Sequence, residues 1–515
     1  MTSERTHILY PLLALLGVTV WFVVLQARGL AWSNGVFEYP LDDVYIHLAI
    51  AEQIAMGGYG VNAGEYTSPG SSPLYPLLLT PFAGTDAQRW LPLFWNVVGL
   101  AGVALFWGRL IAHAGYRGAM GALLALLGPV ALNTAGVAMT GMEHTLHAAA
   151  SLAIVYGLFV LADEKRLTWV LLAGILLAPA LRLEGLALAL VGAGVIALSG
   201  RLAIAALATV LAVAPIALFV WYLTSLGLDP MPNSVQAKLV GAEDADLGRL
   251  ARMFGTIRLN LLETPGLLML GFIAVLVALS TATTGLRRWV SLGVAAAGLA
   301  HLVFGQIGWM ERYENYILTA LAASAVVLVH GAGSKLTAFL PAVLIAGAGA
   351  TYMPHAWDEY RFNPRAIYLQ HAQTARFAKE YLKTDVAVND LGWVAWRNPN
   401  YVLDLWGLAS HEARQARIFN PVPGWAGELT EARDVPVALI YDNDDWLGGA
   451  IGPDWVRVGE FKLDLRRGFL GEDFVAAYAT APEHVAVLED ALLRFAPHLP
   501  EGTQVIFMDG FGGGS

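Results

Sequence analysis

The chain of 515 residues has no cysteine, which excludes disulfides, thiolate-bound zinc and thiol catalysis. Charge is scarce too: Asp, Glu, Lys and Arg make up 14% of the residues, where soluble domains carry roughly a quarter. Basic residues are outnumbered 31 to 41, and no basic face suggests nucleic acid. No glycine-rich loop of the kind that cradles a nucleotide is evident. What the chain does have is apolar length. Hydrophobic residues reach 57% and the mean hydropathy is +0.55, the composition of a membrane protein.

The two parts of the sequence differ. Residues 354–515 hold 14 Lys+Arg against 23 Asp+Glu, whereas residues 1–353 hold 17 against 18 and alternate apolar runs with short polar punctuation. A helix crossing a hydrocarbon core of about 30 Å needs roughly 20 apolar residues. On that ruler eleven segments are expected, near 7–27, 91–112, 118–135, 144–162, 168–181, 185–199, 202–223, 265–284, 289–307, 315–331 and 336–353. The fifth and sixth are short. The first is too long for the apolar region of a cleaved signal peptide and reads as a signal anchor.

Basic residues set orientation. Arg5, Arg109, Arg117, Lys165, Arg166, Arg201, Arg287, Arg288 and Lys335 fall on one set of connections, which the positive-inside rule makes cytoplasmic. An odd number of crossings then puts the tail outside the cytoplasm, with the two long connections 28–90 and 224–264. The first of these has Ile46, Ile50 and Ile54 at i+4 spacing, a pattern too short to span and suited to an interfacial helix. The second closes on an amphipathic helical pattern. The tail, residues 354–511, alternates helical and strand patterns: helices at Asn363–Leu382 and His484–Phe495, strands at Val386–Val388, Tyr401–Leu405, Val435–Tyr441 and Gln504–Phe507. That alternation predicts an α/β domain. The final Gly512–Ser515 reads as an added linker. The expected fold is therefore a polytopic α-helical membrane domain over residues 1–353 followed by an extracytoplasmic α/β domain.

The residues with chemistry cluster on the outer side. Asp42 and Asp43 precede the interfacial helix, where one can cap it and the other can act as a general base toward a hydroxyl; Asp43 is better placed to begin the helix, which favours Asp42 as the base. Glu143, Arg182, Glu184, Glu311 and Arg312 lie at outer helix ends of a bundle otherwise poor in charge. Anchoring at the interface would explain each alone, but together they describe a polar cavity, because ionisable groups at membrane depth are costly. Arg312 is the best phosphate ligand, since a guanidinium fork can hold a phosphate bidentately. A divalent cation is the one cofactor the acids Asp42, Asp43, Glu143 and Glu311 leave room for. In the tail, Trp393, Trp396, Trp406, Trp425, Trp446 and Trp455 suit either a core or carbohydrate stacking. Asp442-Asn-Asp-Asp445 lacks the glycine and distal glutamate of a calcium loop and reads as a solvated turn.

Taken in order, Asp42-Asp-Val-Tyr-Ile-His47, Asn62–Tyr75 with its Tyr66-Thr-Ser-Pro-Gly-Ser-Ser72 core, Gly141-Met-Glu-His144, Arg182-Leu-Glu-Gly185, Pro232-Asn-Ser-Val-Gln-Ala-Lys238 and Arg312-Tyr313 resemble the GT-C superfamily of membrane glycosyltransferases. The resemblance is nearest to the terminal arabinofuranosyltransferases of mycobacterial cell-wall assembly. It implies a bacterial inner-membrane enzyme, a polyprenyl-phosphate-linked sugar as donor, arabinofuranose as the sugar, and a glycan or glycoprotein acceptor docked from the extracytoplasmic side. It maps the catalytic aspartate onto Asp42 or Asp43. It implies a donor-phosphate site from Arg312, Arg182, Lys238 and His144, and sugar or acceptor contacts from Glu143, Glu184, Glu311, Tyr313, Asn233, Tyr66 and Ser72. Leu183, Ser234 and His144 depart from the usual family pattern. A hexosyl or aminoarabinosyl transferase of the same fold is the alternative enzyme. A polyprenyl-linked-sugar transporter is the alternative of another class, although it should place ionisable residues deep in the helices. Because the acids, bases and phosphate ligands all precede Tyr316, the tail is expected to select the acceptor rather than to build the site.

Overall fold

The structure is a computed structural model that describes residues 3–239, 249–331, 335–419 and 421–512. Of the Gly512–Ser515 linker, all but Gly512 lie outside the described residues. Helices occupy all eleven apolar positions, at Ser3–Trp32, Leu91–His113, Gly118–Ala131, His144–Glu164, Trp169–Leu181, Gly185–Leu198, Leu202–Ser225, Thr264–Ala282, Gly285–Phe304, Asn315–Gly331 and the start of Lys335–Leu369. Among the described residues, five helices are long and apolar enough to cross a membrane: Arg5–Trp32, Asp86–His113, His144–Glu164, Leu202–Ser225 and Thr264–Ala282. Four others are apolar but shorter, Trp169–Leu181 and Gly185–Leu198 among them.

The bundle is apolar both inside and out. The His144–Glu164 helix runs through its middle, with Ile154, Leu158 and Phe159 fully buried. Leu12, Leu16, Leu207, Val210 and Leu218 point outward from the first and seventh helices, as a lipid-facing surface requires. Small residues let the helices close up. A Cβ on Gly108 would sit 2.3 Å from the backbone nitrogen of Pro11, and one on Gly17 would sit 2.1 Å from the carbonyl oxygen of Leu126. One end of the bundle gathers the basic connections. Asp163 accepts from Arg287 Nε at 2.6 Å and lies 2.8 Å from His113 Nε2, and Arg201 donates to the carbonyl of Lys165.

The opposite end carries the tail. Helix Lys335–Leu369 contains Pro341, Pro354 and Pro364 and still runs from the bundle into the tail without ending at position 354. A six-stranded mixed sheet follows: β1 (Val386–Val388), β2 (Val402–Asp404), β3 (Val437–Ile440), β4 (Val456–Leu463), β5 (Phe474–Ala479) and β6 (Thr503–Phe507). The spatial order is β2-β1-β3-β5-β4-β6, with β1 parallel to β2 and β3 and the remaining pairs antiparallel. The four strands expected from sequence are present, and so is the Val485–Phe495 helix. β4 and β5 were not legible. β5 is alanine-rich, a weak strand signal, and β4 loses its alternation at a register shift between Arg457 and Gly459.

The two faces of this sheet have different partners. Ala387, Leu403, Ala438 and Ile440 point into a core with Trp425, Trp455 and Tyr478. Val386, Val388, Val437 and Leu439 point the other way, into a core that includes Val44, Tyr45, Leu48 and Ile50 of the helix Asp43–Ala55. That helix is therefore enclosed by protein, with every residue from Val44 to Glu52 buried, rather than laid along an interface. The i+4 isoleucines cover only one of its faces. The tail covers the other, where Tyr45 stacks on Trp393 with ring centroids 4.2 Å apart. By contrast, the Arg249–Leu262 helix is amphipathic as expected and exposes Phe254, Leu259 and Leu262.

The close crossing at Gly108 gives a direct test. Gly108→Ala should lower the unfolding midpoint of the detergent-purified protein, since overpacking a tight contact costs about 1–3 kcal/mol. Gly194→Ala, where a Cβ meets nothing within 4 Å, should leave it unchanged or raise it. Equal midpoints for the two variants would refute the tight crossing.

Candidate functional site

Asp42 does not cap the helix it precedes. Its two carboxylate oxygens accept instead from the backbone N–H groups of Gly392 at 2.7 Å and Trp393 at 2.8 Å, the first turn of a short tail helix, Gly392–Ala395. The approach is so close that a Cβ on Gly392 would lie 2.2 Å from the Asp42 carbonyl and 2.6 Å from Oδ2. His371 stands behind, with Nδ1 3.4 Å from Asp42 and Nε2 3.4 Å from Asp390. Burial works against a charge on His371, but Asp390 and Asp42 outweigh it and its pKa is raised. Burial also pushes the Asp390 carboxyl up, against the pull of His371.

Asp43, one residue on, faces a narrow cleft shared with His47, Ser71, Arg182, Ser234, Arg312 and Tyr313. Its carboxylate is 30% exposed and accepts from Arg312 Nη2 at 3.1 Å. Arg312 is 1% exposed, and its Nε and Nη1 have no hydrogen-bond partner. Arg182, by contrast, is spent: Nη1 donates to Glu143 at 2.7 Å and Nη2 to Glu184 at 2.8 Å. The two guanidiniums flank Tyr313, 5.0 Å from its ring centroid for Arg312 and 5.5 Å for Arg182, and Arg312 Nη2 also donates to the Tyr313 hydroxyl at 3.2 Å. The buried hydroxyl of Ser234 also has no partner. One buried cation with unspent N–H groups, a second held beside it by two carboxylates, and an open hydroxyl, all beside one part-exposed carboxylate, form a site for an anion next to a base.

Other expected residues sit elsewhere. His144 lies against Tyr313, ring centroids 5.8 Å apart, on the edge of this group. Asn233 accepts from Arg414 of the tail and donates its own N–H to Ser68, tying three segments together. Ser72 is buried and accepts from the N–H of Tyr75 at 3.1 Å, so it shapes the loop. Tyr66 is 47% exposed and does not line the cleft. The side chain of Lys238 lies outside the described residues. His47 and Ser71 were not singled out from sequence, although His47 follows Asp43 at i+4 and therefore shares its helix face.

Glu311 is on a separate flank. Asn133 Nδ2 donates to it at 3.0 Å, and His355 Nδ1 lies 3.4 Å away. With Glu359 these two side chains bring ligand atoms within 4.8 Å of one another, a grouping able to hold a cation. Asp42, Asp43 and Glu143 do not belong to it. The segment leading there is unusual, since Trp309, Met310 and Glu311 all have left-handed backbones, with φ of 51°, 62° and 51°.

The tail is not a separate platform above the cleft. Leu408 lines the cleft itself, and an adjoining hollow joins Asp42 and Asp43 to His371, Asp390 and Trp446. Most of the tail tryptophans are structural: Trp396, Trp425 and Trp455 are buried in cores, and Trp406 packs on Trp446 with centroids 4.9 Å apart. Asp442 accepts from Tyr478 at 2.8 Å and pairs with Arg457 at 3.2 Å.

Residues 359–487 match a domain of unknown function, DUF8728. No curated protein matches the sequence. Among solved structures, the chain is similar to the cryo-EM structure of the arabinofuranosyltransferase AftD from Mycobacteria, at 13% identity and a TM-score of 0.37. That similarity covers 90% of this chain and 40% of the other, so the chain spans less than half the length of that protein. An overlap this loose transfers neither residues nor activity.

The Asp42 contact can be broken in two ways. Asp42→Asn leaves one of the two N–H groups facing an amide nitrogen, and Gly392→Ala pushes the two backbones apart. Both should lower the unfolding midpoint and speed proteolytic cleavage between bundle and tail, at a cost of about 1–3 kcal/mol for a buried donor left unpaired. Wild-type cleavage rates in both variants would show that the clamp is dispensable.

Proposed function

We propose that the chain is a glycosyltransferase of the GT-C type that moves a sugar from a polyprenyl phosphate to a glycan or glycoprotein acceptor at the outer face of a bacterial inner membrane, with arabinofuranose as the first sugar to test. The observation that supports it most is the pairing of the part-exposed Asp43 carboxylate with the unspent N–H groups of Arg312 in one cleft. Asp43 takes the proton of an acceptor hydroxyl as that oxygen attacks the anomeric carbon. The bond from that carbon to the phosphate oxygen breaks, and polyprenyl phosphate leaves with its new charge held by Arg312. Arg182, fixed by Glu143 and Glu184, builds the same wall, and Tyr313 and Ser234 offer hydroxyls to the sugar. Of the two aspartates, Asp43 is the base, because both oxygens of Asp42 are already committed to the tail.

The reading is tested by incubating the purified protein in nanodiscs with a panel of polyprenyl-phosphoryl pentoses and hexoses and a glycan acceptor. Asp43→Asn should lower turnover by about 10²-fold or more, the usual scale for a positioned base, with an unfolding midpoint near that of the wild type. Arg312→Lys should also fail, because an ammonium cannot replace the guanidinium fork. Near-normal turnover in either variant, or no transfer from any donor, refutes the mechanism.

The eleven-crossing topology belongs to the same proposal. Reporters fused after Leu226 and after Phe511 should both register on the extracytoplasmic side, as the basic residues at the opposite end of the bundle require. A cytoplasmic signal from either would put the cleft on the wrong side for a lipid-linked donor in the outer leaflet.

A further inference from the structure

A second cavity lies at the other end of the Asp43–Ala55 helix. It is a groove of about 810 Å³ between the last turn of that helix, with the loops at Asn62 and Gly84, and residues 395–401 of the tail. Its polar lining is dominated by uncharged groups, Gln53, Asn62, Asn398, Asn400 and Tyr401. The guanidinium of Arg397 is occupied by an ion pair with Asp86. Asn62 is spent on the fold: its amide accepts from Val402 N–H at 2.9 Å and donates to Val402 C=O at 2.9 Å, closing the free edge of β2.

Two polar atoms in the groove are not spent. Glu52 is 8% exposed; one of its oxygens accepts from Arg397 N–H at 3.0 Å, the Gly84 N–H also acts on the carboxylate, and Oε1 is buried without a hydrogen bond of normal geometry. Asn398 uses its Oδ1 to accept from Asn400 N–H at 3.0 Å, and its Nδ2 is likewise buried and without a partner. A buried acceptor and a buried donor on residues that line the groove each forgo a hydrogen bond worth about 1 kcal/mol. A hydroxyl can satisfy either, because it both donates and accepts. Phosphate is a poor occupant, since Glu52 would repel it and no free cation faces it among the described lining residues.

We infer that this groove is a saccharide subsite that holds a hydroxyl-rich stretch of the acceptor glycan, with hydroxyls donating to Glu52 Oε1 and accepting from Asn398 Nδ2. The inference rests on the transferase reading for the identity of its ligand as an acceptor. From Glu52 to Asp43 is nine residues of one helix, about 14 Å at 1.5 Å per residue, so the groove grips the chain away from its reacting end. A long acceptor would then span both sites, and a short one would reach only the cleft.

The test uses the full-length protein in nanodiscs, with linear arabinofuranosyl and mannosyl hexasaccharides as probes and their disaccharides as short controls. Glu52→Gln keeps an oxygen for Arg397 N–H but removes the second acceptor, and Ala63→Trp fills the groove without deleting any hydrogen bond of the fold. Saturation-transfer NMR should show at least one hexasaccharide binding to the wild type, with affinity falling 10-fold or more in both variants at an unchanged unfolding midpoint. Transfer to a disaccharide should stay at the wild-type rate, while KM for the hexasaccharide rises. The subsite is refuted if neither hexasaccharide binds, if Ala63→Trp binds as well as the wild type, or if disaccharide transfer falls as much as hexasaccharide transfer. Variant-sensitive hexasaccharide binding by a protein that transfers no sugar would uphold the groove and refute the transferase reading; active transfer with variant-insensitive binding would do the reverse.

Discussion

Asp42 carries the carboxylate on which the organisation of this end of the molecule depends. It reaches from the first loop to the N–H groups of a helix turn 350 residues further along the chain. A carboxylate accepting two backbone N–H groups at a helix N-terminus is a strong, directional contact, because charge and helix dipole act in the same sense. Here it crosses between two parts of the protein. The Asp43–Ala55 helix is thereby fixed against the tail, with Ile46 and Ile50 in the core shared with the sheet and Tyr45 stacked on Trp393. Asp43 is then left facing the cleft, where it accepts from Arg312.

The second theme is how the cleft manages its charge. Burying Arg182 would be costly without compensation, and Glu143 and Glu184 supply it within 2.8 Å. Arg312 is buried just as deeply but pairs, among the described residues, with the Asp43 carboxylate alone and keeps two open donors. Unequal satisfaction of two adjacent arginines separates a structural cation from one available to a ligand. Tyr313 touches both, its ring against the two guanidiniums and its hydroxyl accepting from Arg312 Nη2.

The tail and the first loop share a hydrophobic core. One sheet face closes over its own helices and the other closes over the loop, and Asn62 caps the exposed edge of β2 as a neighbouring strand would. An edge covered in this way is protected from pairing with another chain. The same cover creates the groove beside Glu52, because Asn62 and residues 395–401 approach each other without filling the space between them.

The sequence by itself determined the membrane character, the position of each apolar helix, the α/β character of the tail and four of its strands. These follow from composition and from periods of 2 and 3.6 residues, which are local properties of the chain. It also marked Asp42, Asp43, Arg182 and Arg312 as the charged residues of interest, since charge in an apolar bundle is visible without any fold. Only the tertiary structure decided their roles. Asp43 meets Arg312 across 269 positions and Asp42 meets Gly392 across 350, and no local pattern encodes which of two adjacent carboxylates turns which way. The same holds for Glu311, grouped with His355 and Glu359 rather than with Asp43, and for Leu408, which brings the tail into the cleft. Partners at such separations are selected by the packing of whole elements, and that packing exists only once the chain has folded.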